Sequence, residues 1–71
     1  MSSIHSKEYK ELIERLKKAR KDAGLTQTQV AKMLKKHQSY MAKIETGQRR
    51  IDILEVKTLA KVYKIDISDI I

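Results

Sequence analysis

The side chains of this sequence that can do chemistry are mainly cations and amides, and they are concentrated in its middle. Between positions 32 and 50 a single acid, Glu45, accompanies six cations: Lys32, Lys35, Lys36, Lys43, Arg49 and Arg50. Over the whole chain, 16 Lys and Arg outnumber 9 Asp and Glu, and the net charge is +7. Such an excess favours a polyanionic partner, either nucleic acid or an anionic membrane surface.

The same inventory argues against catalysis and against a metal site. The two histidines, His5 and His37, are far apart in the sequence, and cysteine is absent. No Ser-His-Asp set and no paired carboxylates share a predicted helix face. We therefore expect no enzyme activity, no metal and no cofactor.

Length and hydropathy limit the architecture. Seventy-one residues without Pro or Cys predict one domain over 1–71, stabilised by helix packing alone, with residues 1–5 expected to be flexible. No apolar run reaches the roughly 18 residues that span a bilayer. The N-terminus lacks the apolar core of a secretory signal. We expect a cytoplasmic protein.

The elements that position these side chains are predicted to be helices. Apolar residues from Tyr9 to Ala23 recur at intervals of three and four, the period of one helical face. Ser6 is the predicted N-cap of this first helix, and Gly24 ends it, because glycine adopts the left-handed conformation without a steric penalty.

Two short helices follow. Thr26 and Gln29 have capping-box spacing, which predicts a second helix from Gln27 to Leu34. The polar run from Lys35 interrupts the apolar pattern. Apolar residues then resume at Tyr40, Met41 and Ile44, which predicts a third helix from Gln38 to Thr46, before Gly47.

A fourth helix is predicted from the cap at Asp52 to about Tyr63. The β-branched tail favours a strand by composition, but Asp66 can cap one helical turn and no second strand is predicted, so we favour a short fifth helix. The fold class is therefore all-α, a compact bundle of five short helices. Its predicted core is Leu12, Leu16, Val30, Ala31, Leu34, Met41, Ile44, Ile53, Leu59 and Ile65.

An ordered set of residues carries a family resemblance over 16–71. The set runs Leu16-x3-Arg20-x3-Gly24-Leu25-Thr26-Gln27-x2-Val30-Ala31-x2-Leu34, then Ser39-Tyr40-Met41-x2-Ile44-Glu45-x-Gly47, then Leu59-Ala60 with Ile65. It resembles the lambda repressor-like, or Cro/C1-type, helix-turn-helix proteins of the XRE family. The resemblance implies a DNA-binding domain whose helix-turn-helix is formed by helices 2 and 3.

Helix 3 supplies the candidate base-reading residues. Gln38, Ser39 and Lys43 lie on the predicted face opposite Met41 and Ile44. Gln can bond adenine N6 and N7, and Lys can reach guanine O6 and N7, in a major groove about 12 Å wide.

Candidate contacts to the DNA backbone surround that helix. Gln27 begins helix 2, where a backbone N–H and the side-chain amide are free to bind a phosphate. The resemblance implies further backbone contacts from the loop after helix 3. The complete predicted set is Gln27, Thr28, His37, Tyr40, Thr46, Gln48, Arg49 and Arg50.

Six residues leave alternatives open. His37 either contacts phosphate or faces solvent, and Tyr40 either packs against helix 2 or reaches DNA through its hydroxyl. The resemblance also implies a structural salt bridge between Arg20 and Glu45, whose burial the sequence does not decide. Lys35 stands where the family usually has Gly, and Lys36 where an apolar residue is usual. Either Lys35 adopts the left-handed conformation, at about 1 to 2 kcal/mol, or the turn is unusual.

The expected partner is double-stranded DNA, bound by a homodimer on a palindromic site. Ile67, Ile70 and Ile71 form a candidate dimer interface, although packing under helix 1 explains them equally well. We expect no membrane association and no small-molecule ligand. The alternative function is a basic interaction module that binds an acidic protein or a membrane surface.

Overall fold

The computed structural model describes residues 6–71, whose regular elements are all helices, without strands. The prediction about residues 1–5 lies outside this range. The α-helices are α1 (Lys7–Asp22), α2 (Gln27–Met33), α3 (Ser39–Glu45) and α4 (Ile53–Val62). The expected fifth helix is only a 3-10 turn, Ile67–Asp69. The all-α prediction is confirmed, with four α-helices rather than five.

The predicted N-caps are all present. The hydroxyl of Ser6 accepts a hydrogen bond from the backbone N–H of Tyr9 at 3.1 Å. Capping boxes begin α2 at Thr26 and α4 at Asp52. The carboxylate of Asp66 caps the final turn through the N–H of Ser68 at 2.9 Å. Side-chain acceptors thus satisfy helix N–H groups that have no partner within the helix.

Every α-helix is followed by a residue with positive φ, but only two of these residues are glycines. Gly24 and Gly47 have φ of 74° and 81°, whereas Lys35 and Lys64 both have φ of 57°. After α2, the N–H of Lys36 donates to the carbonyl of Ala31 at 2.8 Å, which closes a Schellman turn around Lys35. The left-handed alternative for Lys35 is therefore the one observed.

The core is formed by apolar side chains from all four α-helices and from the segments that join them. Val30, Leu59 and Ile70 are among its most completely buried members. Of the predicted core, Leu12, Leu34 and Ile65 are only partly buried, at its margin. The structure therefore agrees with most of the sequence-based core.

The core prediction was wrong at Ile53, which is 53% exposed. Ile53 occupies the first position of α4, immediately after the cap at Asp52. The buried residues there are Ile51 and Val56. Their positions on either side of the cap are those of a hydrophobic staple, which fixes the entry of the chain into α4.

The C-terminal isoleucines have three different environments. Ile70 is 1% exposed and belongs to the core, while Ile71 is exposed and Ile67 is partly buried. The carbonyl of Ile70 also accepts a hydrogen bond from Arg15 of α1 at 3.1 Å. The prediction of Ile70 as a dimer contact is thus corrected, because its side chain is already covered by its own chain.

Candidate nucleic-acid interface

The helix pair α2 and α3 is held together by buried small and apolar side chains. Val30 and Ala31 of α2, and Met41 and Ile44 of α3, are each at most 1% exposed. The small side chain of Ala31 allows the two helices to approach closely. α3 also packs against α1. Its inner face is therefore fixed, and its outer face carries polar residues.

The start of α3 is capped by an imidazole. α3 begins at Ser39, one residue after the predicted start at Gln38, whose side chain makes no capping bond. Instead, Nδ1 of His37 accepts a hydrogen bond from the N–H of Ser39 at 3.1 Å and lies 2.9 Å from the Ser39 hydroxyl. With Nδ1 as acceptor, the proton of a neutral ring resides on Nε2.

Two of the three predicted base-reading residues are well exposed. Gln38 and Lys43 are open to solvent, whereas Ser39 is partly buried and its hydroxyl contacts His37. α3 therefore presents an amide and an ammonium group at its surface. These groups have the hydrogen-bonding capacity that base edges require.

The predicted backbone contacts divide into exposed and engaged groups. Thr28, His37, Gln48 and Arg50 are exposed, and the Arg50 guanidinium lies 5.3 Å from the centre of the Tyr9 ring. Thr46 is exposed too, but its hydroxyl donates to the carbonyl of Ala42 at 2.8 Å.

Gln27 is partly buried, and its amide nitrogen donates to Oε1 of Glu45 at 2.8 Å. The amide that the sequence left free for phosphate is thus turned toward α3. The backbone N–H of the first α2 residue still faces the helix N-terminus, where anions are favoured.

Arg20 and Glu45 form a buried ion pair between α1 and α3. Nε of Arg20 lies 2.7 Å from Oε2 of Glu45, and the side chains are 9% and 3% exposed. A second bond joins Arg20 Nη2 to Oε1 at 3.0 Å, and Nη1 donates to the carbonyl of Leu25 at 2.8 Å. With the bond from Gln27, the pair ties three helices together.

The ionisation of Glu45 reflects these contacts. Burial acts to raise its pKa, but hydrogen bonds from Arg20 and Gln27 and the positive charges of Arg20 and Lys17 lower the pKa overall. Glu45 is therefore charged in the folded protein. Loss of either partner of a buried ion pair strands the other charge and costs about 3 to 5 kcal/mol.

A second polar cluster, formed by Tyr40, Arg49 and Glu55, lies at the other side of α3. Arg49 Nη2 lies 2.9 Å from Glu55 Oε2, and Arg49 Nη1 donates to Glu55 Oε1 at 3.1 Å. The hydroxyl of Tyr40 donates to Oε2 at 2.8 Å. Arg49 and Lys36 lie 5.1 and 5.5 Å from the centre of the Tyr40 ring, within cation–π range.

This cluster bears on the predictions for Tyr40 and Arg49. Tyr40 is 9% exposed and its hydroxyl donates to Glu55, so the hydroxyl that the sequence offered to DNA is bonded within the protein. The two terminal nitrogens that Arg49 would offer to a phosphate are instead bonded to the carboxylate of Glu55. Sequence reasoning treated Glu55 only as a cap, because a spacing of six residues across a loop carries no periodic signal.

Other kinds of site find little support in the described part of the chain. Within residues 6–71, no helix is long and apolar enough to cross a membrane. The same residues contain no group of three or more His, Cys, Asp and Glu side chains arranged to hold a metal ion.

Comparison with known proteins agrees with this geometry. No curated protein matches the chain significantly. A protein-family model described as Helix-turn-helix, of the Cro/C1 type, matches residues 16–70, which includes all four α-helices except the start of α1. The match covers most of the sequence, and the resemblance noted from the residues is confirmed: the chain belongs to the Cro/C1-type (XRE) helix-turn-helix family of DNA-binding regulators.

Proposed function

We propose that the protein is a sequence-specific regulator of transcription that binds double-stranded DNA, with α2 and α3 as its helix-turn-helix. The observation that carries this proposal is the two-sided character of α3. Its apolar side is buried, whereas Lys43 of α3 and Gln38 at its N-cap are exposed, in the part of the sequence where cations most outnumber acids. A rigidly seated helix with an exposed polar face is the element that enters the major groove.

Base recognition is assigned to Gln38, Ser39 and Lys43. The amide of Gln38 can donate and accept at once, which suits the N6 and N7 edge of adenine, and the ammonium of Lys43 suits guanine. The partly buried hydroxyl of Ser39 would turn from His37 to reach a base. These roles derive from residue chemistry and from position on α3.

Affinity without sequence preference is assigned to groups around α3. The N-terminus of α2 supplies backbone N–H groups at Gln27 and Thr28, and the loop after α3 supplies Thr46, Gln48 and Arg50. His37 contributes through Nε2, because Nδ1 is occupied by Ser39. Contacts of this kind fix the register of the protein on the duplex.

A homodimer on a palindromic operator fits this function, with half-sites about one helical turn apart. Ile71 and the exposed part of Ile67 remain available for a C-terminal interface, since only Ile70 is in the core. The role we propose is that of a phage-type repressor, a controller or an antitoxin-like regulator. Activity as an enzyme is not part of the proposal.

The proposal is tested first by selecting bound sequences from a random duplex pool. We expect a palindromic consensus, which would support DNA binding and two-fold symmetry together. A pool without enrichment would contradict the proposal and favour an interaction module that binds acidic proteins or membranes.

Replacement of Gln38 then tests base recognition. Gln38→Ala should weaken binding to the selected site by about 1 to 3 kcal/mol and leave binding to random duplex nearly unchanged. Fluorescence anisotropy with both duplexes measures the difference. Lys57→Ala, which removes an exposed side chain of α4, is the control and should not alter the preference. If Gln38→Ala lost equal affinity for both duplexes, Gln38 would not be a base-reading residue.

A further inference from the structure

Arg49, in the loop after α3, is paired with a carboxylate of the protein itself, that of Glu55. Arg49 uses both of its terminal nitrogens on Glu55, at 3.1 and 2.9 Å. A guanidinium fork binds carboxylate and phosphate in the same planar, two-point manner. Glu55 therefore occupies the position on Arg49 that a DNA phosphate would take.

Glu55 is itself held firmly in this position. Besides Arg49, the hydroxyl of Tyr40 donates to Oε2 at 2.8 Å and the backbone N–H of Asp52 donates to Oε1 at 3.0 Å. The carboxylate side chain is only 18% exposed. Burial acts to raise its pKa, but bonds from Arg49, Asp52 and Tyr40 lower the pKa to about 2. Glu55 is thus charged over the whole physiological pH range.

Arg49 is restrained as well, although it stays at the surface. Its guanidinium lies over the Tyr40 ring, and Nη1 also donates to the carbonyl of Arg50 at 3.2 Å. The Arg49 side chain nonetheless remains 42% exposed. The group is therefore accessible to a polyanion while its charge is balanced by a fixed neighbour.

We propose that Glu55 restrains DNA binding by occupying the guanidinium of Arg49, so that this loop attracts the phosphate backbone less than its cations imply. The inference rests on the proposed function. A balanced pair releases no counterion from DNA, whereas an unbalanced cation does. Glu55 therefore weakens the sequence-independent part of binding and leaves the contacts of α3 to base edges unaffected.

The consequence is higher discrimination between operator and other DNA. Non-specific affinity arises essentially from phosphate contacts, and it competes with operator binding at every other site on the chromosome. An acid that reduces this background is a specificity-determining residue even though it touches no base. Its effect should be greatest at low salt, where electrostatic attraction is least screened.

The test measures the affinity of the full chain for the selected duplex and for random duplex between 50 and 200 mM salt. Glu55→Gln removes the charge and retains an oxygen that can cap α4, because glutamine also serves in a capping box. We expect it to bind both duplexes more tightly, with a salt slope steeper by about 1, which is a further loss of about fourfold in affinity over this range. Glu55→Ala, which removes the carboxylate from Arg49 altogether, should have the same effect in its folded fraction.

Two controls separate the proposal from a simple change of net charge. Asp22→Asn breaks the exposed pair that Asp22 forms with Lys18 at 2.7 Å and changes the net charge equally, but it should leave the salt slope unchanged. Arg49→Ala should have little effect alone and should abolish the gain from Glu55→Gln. The proposal would be overturned if Glu55→Gln increased DNA affinity equally in the Arg49→Ala background. It would also be overturned if neither Glu55 variant increased DNA affinity.

The outcomes also distinguish this inference from the proposed function. If the wild-type chain binds duplex DNA and removal of the Glu55 charge does not strengthen binding, only the inference is wrong. If neither wild type nor any variant binds duplex at 50 mM salt, both are wrong.

Discussion

The three tyrosines of the chain are all buried, but their hydroxyl groups differ in hydrogen bonding. The hydroxyl of Tyr9 accepts the backbone N–H of Ile51 at 2.9 Å, and that of Tyr40 donates to Glu55. The buried hydroxyl of Tyr63 has no hydrogen-bond partner among the described residues. Helical periodicity predicts that each ring faces inward, but it does not predict the hydroxyl partners, which lie 42 and 15 positions away for Tyr9 and Tyr40.

Tyr63→Phe should therefore stabilise the protein. Phenylalanine keeps the packed ring and removes a buried polar atom whose desolvation is uncompensated, an effect of about 1 kcal/mol. Urea unfolding monitored by circular dichroism measures the change in the free energy of unfolding.

Tyr9→Phe is the matched control, since it removes a hydroxyl that is bonded and leaves the buried N–H of Ile51 unpaired. It should destabilise the protein by about 1 to 3 kcal/mol. A loss of stability in both variants would show that the Tyr63 hydroxyl has a stabilising contact.

At the scale of helices, α1, α2 and α4 begin with a short polar N-cap side chain, whereas α3 does not, and the C-terminal ends of the helices also differ from one another. The caps at Ser6, Thr26 and Asp52 were predictable because a short polar side chain precedes each apolar stripe. The stops at Gly24 and Gly47 were predictable for the same local reason. The positive φ of Lys35 and Lys64 could not be predicted from local sequence. Lysine has no intrinsic preference for positive φ and adopts it only when packing on both sides requires the turn.

Replacing Lys35 by glycine tests the strain at the turn between α2 and α3. Lys35 has φ of 57°, a conformation that costs a residue with a Cβ about 1 to 2 kcal/mol. Glycine removes this cost, but it also makes the unfolded chain more flexible, which offsets part of the gain in stability. Lys35→Gly should therefore stabilise the folded protein by about 1 kcal/mol. Thermal unfolding measures it.

The same replacement inside a helix should have the opposite sign. Lys32→Gly in α2 should destabilise by about 1 kcal/mol, since glycine is a poor helix former. A loss of stability in Lys35→Gly as well would mean that the lysine stem makes stabilising contacts that exceed the strain.

At the scale of the whole molecule, two buried or partly buried acids link stability to pH. The folded pKa of Glu55 is lowered to about 2, and that of Glu45 is also lowered. An unfolded glutamate has a pKa of about 4.3. Because the folded values are lower, the unfolded chain binds more protons in acid, so this contribution is present above about pH 5 and is lost as pH falls toward 2.

The melting temperature should therefore fall steadily between pH 5 and pH 2. Glu55→Gln should show a shallower fall over the same range, since glutamine does not titrate. Circular dichroism melts in a series of buffers give both curves. A wild-type melting temperature that is equal at pH 6 and pH 3 would contradict the assigned contacts of Glu45 and Glu55.

Composition and periodicity predicted the all-α class and the helix positions within one or two residues. They did so because these properties depend on local spacing. The contacts of Gln27 with Glu45 and of Arg49 with Glu55 could not be predicted, since the first depends on how α2 packs against α3 and the second on the path of the loop between α3 and α4. The burial of Ile51 rather than Ile53 is a similar case, decided by how the chain enters α4.

The left-handed lysine between α2 and α3 implies a trade-off between stability and affinity. Glycine at position 35 would relax the backbone but remove a positive charge from the turn that joins α2 and α3, the two helices proposed to face DNA. Lysine retains the positive charge but has a strained backbone conformation. A series of substitutions at this position should therefore rank differently for folding and for DNA affinity, as expected where function and stability favour different residues.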